Sequence, residues 1–396
     1  MRPLVKPIVA VVAVTLATSA FAAMGAKDKN VSKASTCGPV LNTKMDRAMN
    51  INSPTREVLS CWTDRFALGG SATLAFQRAD DFSTTTGNKT YFNVRQVSLF
   101  TDVSINKQMA AHIALNVESD LSDNLPTGDA ALGSNFALDE AYLTFSDFMK
   151  SPMYVKAGKG YTSFGNYSDP HPTVFSINQG YVQANNTSLA LGFASNAGYD
   201  LSAFLYEDEL NDHWDQWGLR LGYKGDLMGA MKDMNFGFNL SYVNNYNSLV
   251  GAQSVESSGT ASVNADTDNS AYDLAANISV RNFNLGLEYF KVGGVVASSG
   301  TSSTAEPKVL GITGSYDFMA GDKKSDVHVM YEKASDSDIM TTTAFSTVGV
   351  DRHMNLGVNY DLDKNAKFSL DYHKFKSVSV ADEDQKQIVA AVKVLF

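Results

Sequence analysis

The chain has 396 residues carrying 32 basic and 42 acidic side chains, a formal net charge of −10 at pH 7. That acidic surplus argues against nucleic acid as a partner, because a phosphate backbone needs clustered Lys and Arg. Hydrophobic residues make up 44% and charged residues 19%, values that suit a soluble exported protein and a water-lined barrel equally, so patterning must decide.

At the start, Met1-Arg2-Pro3-Leu4-Val5-Lys6 is basic, Ile8 to Ala20 is uncharged and largely apolar, and Ala20-Phe21-Ala22 has the small-x-small form of a cleavage site. Residues 1–22 therefore read as a secretory signal peptide, with an apolar part too short to span a bilayer comfortably. No later run of roughly 18 apolar residues predicts a membrane helix. Residues 23–64 are small, polar and rich in Lys, Asn and Ser, and read as a short periplasmic extension. Cys37 and Cys61 are the only cysteines. In an oxidising compartment a disulfide between them is expected in preference to two free thiols. A metal is not expected there, since no Cys-x-x-Cys pair or nearby His accompanies them, and no cofactor is expected elsewhere.

From Phe66 onward one theme repeats: an alternating segment of about ten residues, then a turn or a polar loop. Phe66, Leu68, Ala72, Leu74 and Phe76 share one face of the first segment. Val97, Leu99 and Val103 mark the second, and Met109, Ala111, Ile113, Leu115 and Val117 the third. Similar faces follow at 141–145, 153–157, 189–193, 201–205, 217–223, 236–242, 272–280, 283–289, 310–318, 327–331, 354–360 and 368–372. The last segment runs to Phe396, with Val394, Val392, Ala390 and Ile388 behind it at period two. This predicts an all-β fold: a transmembrane antiparallel β-barrel of about 16 strands over residues 65–396.

The connections agree. Every second link is short, as at Asn106-Lys107, Ser195 to Gly198, Arg281-Asn282, Gly321 to Lys324 and Asp363 to Asn365. The others are mostly longer and rich in Ser, Thr, Asn, Asp and Gly, as at 119–135, 162–187, 246–271, 292–306 and 335–350. Short periplasmic turns and long extracellular loops are the asymmetry of an outer-membrane barrel, whereas a soluble sandwich has no reason to alternate this way. Aromatics gather at both ends of the apolar faces, as interfacial girdles would require. Outer-membrane lipid is therefore the expected surroundings.

Opposite the apolar faces lie polar residues that would line the lumen. The pore-lining and selectivity candidates are Arg95, His112, Glu118, Glu140, Lys156, Arg220, Asp273, Arg281, Glu288, Glu332 and Asp371, joined by Lys367. A barrel of this size cannot be filled by its own side chains and leaves an aqueous channel, so passive passage of small solutes is the expected function, with a weak preference for cations. No metal site and no catalytic residue is expected. Asp212 and His213 could cooperate as a hydrolase pair only in a turn, and Ser/Thr/Gly-rich loops at 251–270 and 297–305 leave an adhesin or structural barrel as the competing reading.

The stretch Asp139-Glu140-Ala141-Tyr142-Leu143 followed by Gly158-Lys159 and Ser163-Phe164-Gly165 resembles the "EAY…GK…PFG" segment of porins, with Ser163 where proline is common. The terminal Phe396 is similar to the signal read by the barrel-assembly machinery. In trimeric general porins the third long loop folds inward, so the resemblance implies a constriction by 162–187, with Asp169, His171 and Gln183 as candidates there, and leaves a homotrimer open. The N-terminal extension with its cysteines resembles that of LbtU-type siderophore porins, which implies a ferric siderophore as one candidate solute and uptake without a TonB-type plug.

Overall fold

The computed structural model describes residues 60–63, 66–79, 89–106, 108–118, 137–146, 151–165, 176–195, 197–208, 213–226, 234–246, 248–249, 269–293, 296–297, 304–335, 350–377 and 384–396. A short strand β1 (Ser60–Thr63) precedes β2 (Phe66–Ala79), β3 (Lys89–Asn106), β4 (Met109–Glu118), β5 (Ala137–Ser146) and β6 (Met153–Tyr161). One turn of helix, α1 (Ile177–Val182), separates these from β7 (Asn185–Ala194), β8 (Tyr199–Asp208), β9 (His213–Asp226) and β10 (Met234–Val243). Then come β11 (Ala271–Val280), β12 (Phe283–Val292), the two-residue pair β13 (Val296–Ala297) and β14 (Thr304–Ala305), and β15 (Lys308–Ala320). The chain ends with β16 (Lys323–Ser335), β17 (Val350–Asp363), β18 (Ala366–Ser377) and β19 (Asp384–Leu395).

Every strand from β2 to β12 and from β15 to β19 pairs antiparallel with its neighbours, and β19 returns to pair with β2. The sheet is thus a closed barrel of sixteen strands, as the periodicity predicted. Closure satisfies every strand edge, which is what a sheet in hydrocarbon requires. Among the described residues no helix is long and apolar enough to cross a membrane; the crossing is made by strands.

The seam is finished by the ends of the chain. Phe396 exchanges two backbone hydrogen bonds with Gly70, Gly70 N to Phe396 O at 2.8 Å and Phe396 N to Gly70 O at 3.0 Å. Its ring lies where a Cβ on Gly70 would stand, so a side chain there would displace it. Beyond that point β1, within the predicted extension, takes over the same edge of β2, pairing Ser60 with Leu68 and Thr63 with Phe66.

The pleat puts alternate residues on opposite walls. On β12, Phe283, Leu285 and Leu287 point outward and are 64%, 55% and 48% exposed, while Phe290 and Val292 point inward and are fully buried. Exposure of that order on aliphatic rows is untenable in water and natural in lipid. Outward aromatics pair in two bands. Tyr199, Tyr223, Phe236 and Phe238 form one group and Phe283, Tyr316 and Phe318 another towards the short turns, and Trp217–Tyr242 and Tyr272–Tyr289 lie towards the long loops.

Candidate functional site

Of the connection between β6 and β7, residues 162–165 and 176–184 are described, and they turn inward rather than over the surface. Its ends are held together by Thr162 N donating to Ala184 O at 3.0 Å. Phe164 is fully buried. Gly165 N donates to Ser241 Oγ at 2.8 Å, and Asn239 Nδ2 donates to Gly165 O at 3.0 Å, which ties the descending strand of the loop to β10.

The returning part is α1, and its N-terminus meets a carboxylate from the far wall. Glu332 of β16 accepts from Ser176 Oγ at 2.6 Å, from Ile177 N at 2.7 Å and from Asn178 N at 3.3 Å. Ser176 caps the same turn by accepting from Gln179 N at 3.1 Å. Unpaired N–H groups at a helix start favour such an anion. In the strand order β16 lies across the barrel from β6 and β7, so α1 is bonded to the wall opposite the strands that its loop joins. Above α1, Phe164, Tyr181 and Tyr246 pack around Phe290, with ring centroids 5.3–6.3 Å from it. The Tyr246 hydroxyl donates to Tyr181 O at 2.7 Å, which joins the 244–270 connection to the loop.

Register then explains the ionisable groups beneath. One inward rung runs Ala275, Glu288, Gly311, Glu332, His353 and Phe375 through β11, β12, β15, β16, β17 and β18. Gly311 leaves the space between Glu288 and Glu332 open. His353 Nδ1 lies 3.4 Å from Glu332 Oε2 and its Nε2 lies 3.0 Å from His373 Nδ1. Both rings stack on Phe375, with centroids at 4.4 and 5.8 Å. Nearer the short turns, His328 Nε2 reaches Asp371 Oδ1 at 2.7 Å. That bond passes over β17 at Gly357, where any Cβ would collide with both partners.

The wall of β3 to β6 carries a second group. Asp102 Oδ1 and His112 Nδ1 are 2.6 Å apart, Glu140 Oε1 is 3.9 Å from His112 Nε2, and all three side chains are fully buried. The Tyr142 ring lies against His112, tilted by 30° with centroids 4.9 Å apart, and Lys156 Nζ sits 3.9 Å from the Tyr142 ring centroid. Arg220 on β9 donates from Nε to Asn239 Oδ1 at 2.7 Å.

Of the residues singled out from sequence, His112, Glu140, Lys156, Asp273, Glu332 and Asp371 are buried on the inner wall, and Arg220, Glu288 and Lys367 are half-buried there. Arg95 is the extra residue of a β-bulge, since Thr73 pairs with Gln96 and Leu74 with Val94, and it lies within electrostatic range of His373. Glu118 closes β4. Arg281 stands apart from the wall, in the exposed turn between β11 and β12 with φ 53°. Gln183 is the C-cap of α1, its N–H donating to Gln179 O. Asp169, His171, Cys37, the Cys37–Cys61 pairing and Asp212 lie outside the described residues. Sequence reading missed Asp102, Asp326, His328 and His353 as inward groups; each has the parity opposite to its strand's apolar face, which was the available signal.

The family described as phosphate-selective porin O and P matches residues 66–296. No curated protein matches the chain. The fold is similar to that of Salmonella typhi OmpF solved with daunomycin, at 14% identity, 84% coverage of this chain, 97% of the other and a TM-score of 0.56. It is similar to Pseudomonas putida OprB, at 11% identity, 84% and 94% coverage and a TM-score of 0.55. The outer-membrane channel DcaP of Acinetobacter baumannii aligns at 10% identity, 84% and 97% coverage and a TM-score of 0.53.

Proposed function

Because the chain belongs to the phosphate-selective porin O and P family, we propose that this outer-membrane porin passes small solutes passively, through a lumen narrowed by the loop between β6 and β7 and biased towards cations. The observation that carries this reading is the clamp of Glu332 on α1. A loop bound to the opposite wall sets the cross-section that a solute must pass, and the charges beside it filter by sign. Those charges are mainly acidic: Glu140, Asp273, Glu288, Glu332 and Asp371 face inward with Asp102 and Asp326. The inward cations beside them are fewer: Lys156 over the Tyr142 ring, Arg220 on Asn239, Lys367, and Arg95 at the bulge. Carboxylates in a low-dielectric wall raise the local cation concentration, so the phosphate of the family's description is not the solute favoured here.

Single-channel recording of the purified mature protein in a planar bilayer tests the channel, followed by titration of simple sugars, phosphate and ferric siderophores. Siderophores are included because the extension with Cys37 and Cys61 resembles that of siderophore porins. Stable conductance steps are expected, and a solute that blocks them names the substrate class. Silence from a folded, heat-modifiable barrel would favour an adhesin or structural role instead. Native electrophoresis of the same sample tests the homotrimer that the resemblance to general porins suggests.

A further inference from the structure

We propose that Asn178, Asp273 and Glu288, directly beneath α1, form a binding site for a protonated amine within the lumen; the proposal rests on the channel reading above. Asp273 is fully buried, and no N–H or hydroxyl donates to either of its carboxylate oxygens, which meet the Glu288 carboxyl instead. No donor reaches Glu288 Oε1 either, and Asn178, 1% exposed, receives none at Oδ1, while its amide and the Asp273 carboxyl both meet Glu288. Three side chains from three elements thus leave polar atoms unsatisfied in one place. Acceptors without donors are costly to bury, so this concentration calls for an occupant.

Register and loop placement bring them together. Asp273 pairs with Phe290 and Glu288 with Ala275, so the two acids stand diagonally on adjacent inward rungs, their carboxyls facing each other. Asn178 descends from α1, whose N-terminus Glu332 fixes, and its amide faces Glu288.

The chemistry of the unmet atoms selects the ligand. Asp273 Oδ1 and Oδ2, Glu288 Oε1 and Asn178 Oδ1 are acceptors, against the single donor group at Asn178 Nδ2. The occupant must bring donors and positive charge, and an alkylammonium brings three N–H donors. Among the described residues no three His, Cys, Asp or Glu converge closely enough to hold a metal ion, so a ligand that reaches between separate carboxyls fits better than a bare cation. Arg220 lies within electrostatic range of Asp273 and offsets part of the charge, while Glu332 adds to it beside Glu288.

Access is from the periplasmic side. Asn277 and Thr313, the inward positions one rung nearer the short turns, are exposed, whereas the aromatic cluster around Phe290 closes the space above. An amine in the periplasmic vestibule therefore meets the site at its ceiling.

Isothermal titration of the detergent-folded full chain with 1,4-diaminobutane at pH 7 tests this. Saturable binding is expected, weakened about ten- to a hundredfold in the D273N/E288Q double variant and measurably in Asn178→Ala, which keeps both acids should the double variant fail to fold. Equal affinity in wild type and in whichever of these variants keeps its heat-modifiability would overturn the proposal. So would no binding by a folded wild type, which would mean that the two carboxyls share a proton and need no ligand. The channel reading fails separately, by absence of conductance in the wild type.

Discussion

Replacing Glu332 with alanine removes the carboxylate on which the interior loop is hung. Two of its bonds are short, to Ser176 Oγ at 2.6 Å and to Ile177 N at 2.7 Å, and a third reaches Asn178 N at 3.3 Å. Glu332 is 2% exposed, so water does not screen these bonds as it would at a surface. A hydrogen bond to a charged group contributes about 1.5–3 kcal/mol net. Taking only the two short ones at the low end gives roughly 3 kcal/mol, a shift of about a hundredfold between pinned and released loop. The far end of the loop is still held to β10 through Gly165, so α1 should swing rather than leave. Single-channel recording should then show larger mean conductance and added open-channel noise. Glu332→Gln, which keeps the shape and one acceptor oxygen, should fall between. Conductance and noise equal to wild type in a heat-modifiable Glu332→Ala barrel would refute the clamp.

Deleting Phe396 removes the two backbone bonds to Gly70 and the ring that covers it, and should lower the yield of heat-modifiable barrel in the membrane; normal insertion would count against the seam described here. Gly357→Ala places a methyl between His328 and Asp371 and should cost about 1–3 kcal/mol in urea unfolding from detergent, with an unchanged midpoint speaking against the bridge over β17. Arg281→Gly relieves the left-handed backbone of the exposed turn and should stabilise by about 1 kcal/mol in the same assay. Lys156→Glu reverses an inward charge that sits over Tyr142 and should move the reversal potential further towards cations; no movement would place Lys156 away from the ion path.

The barrel was legible because lipid and water impose period two on every strand at once. Leu285 and Glu288 announce opposite walls of β12 without any knowledge of their neighbours. Where that rule is interrupted, reading stopped. β3 was recognised only from Val97 because the bulge at Arg95 inverts the parity beyond it, and Phe92, 73% exposed, has the opposite phase from Val97. The pairing of Ser60–Thr63 with β2 went unseen, since four residues carry too few alternations to register. For the site, the loop's position came from resemblance, whereas its anchor did not. Glu332 looked like one lumen acid among many, and its partners Ser176 and Ile177 are more than 150 residues away in the chain. The histidine group had the same cause: His328, His353 and His373 meet only through the register of β16 to β18.

The most direct test is the zero-current potential of the purified wild-type channel across a potassium chloride gradient. The account predicts discrete conductance steps and a reversal potential displaced towards that of potassium, reduced when Asp273 and Glu288 are neutralised together. A reversal potential displaced towards that of chloride, or a folded barrel that passes no current, would contradict it.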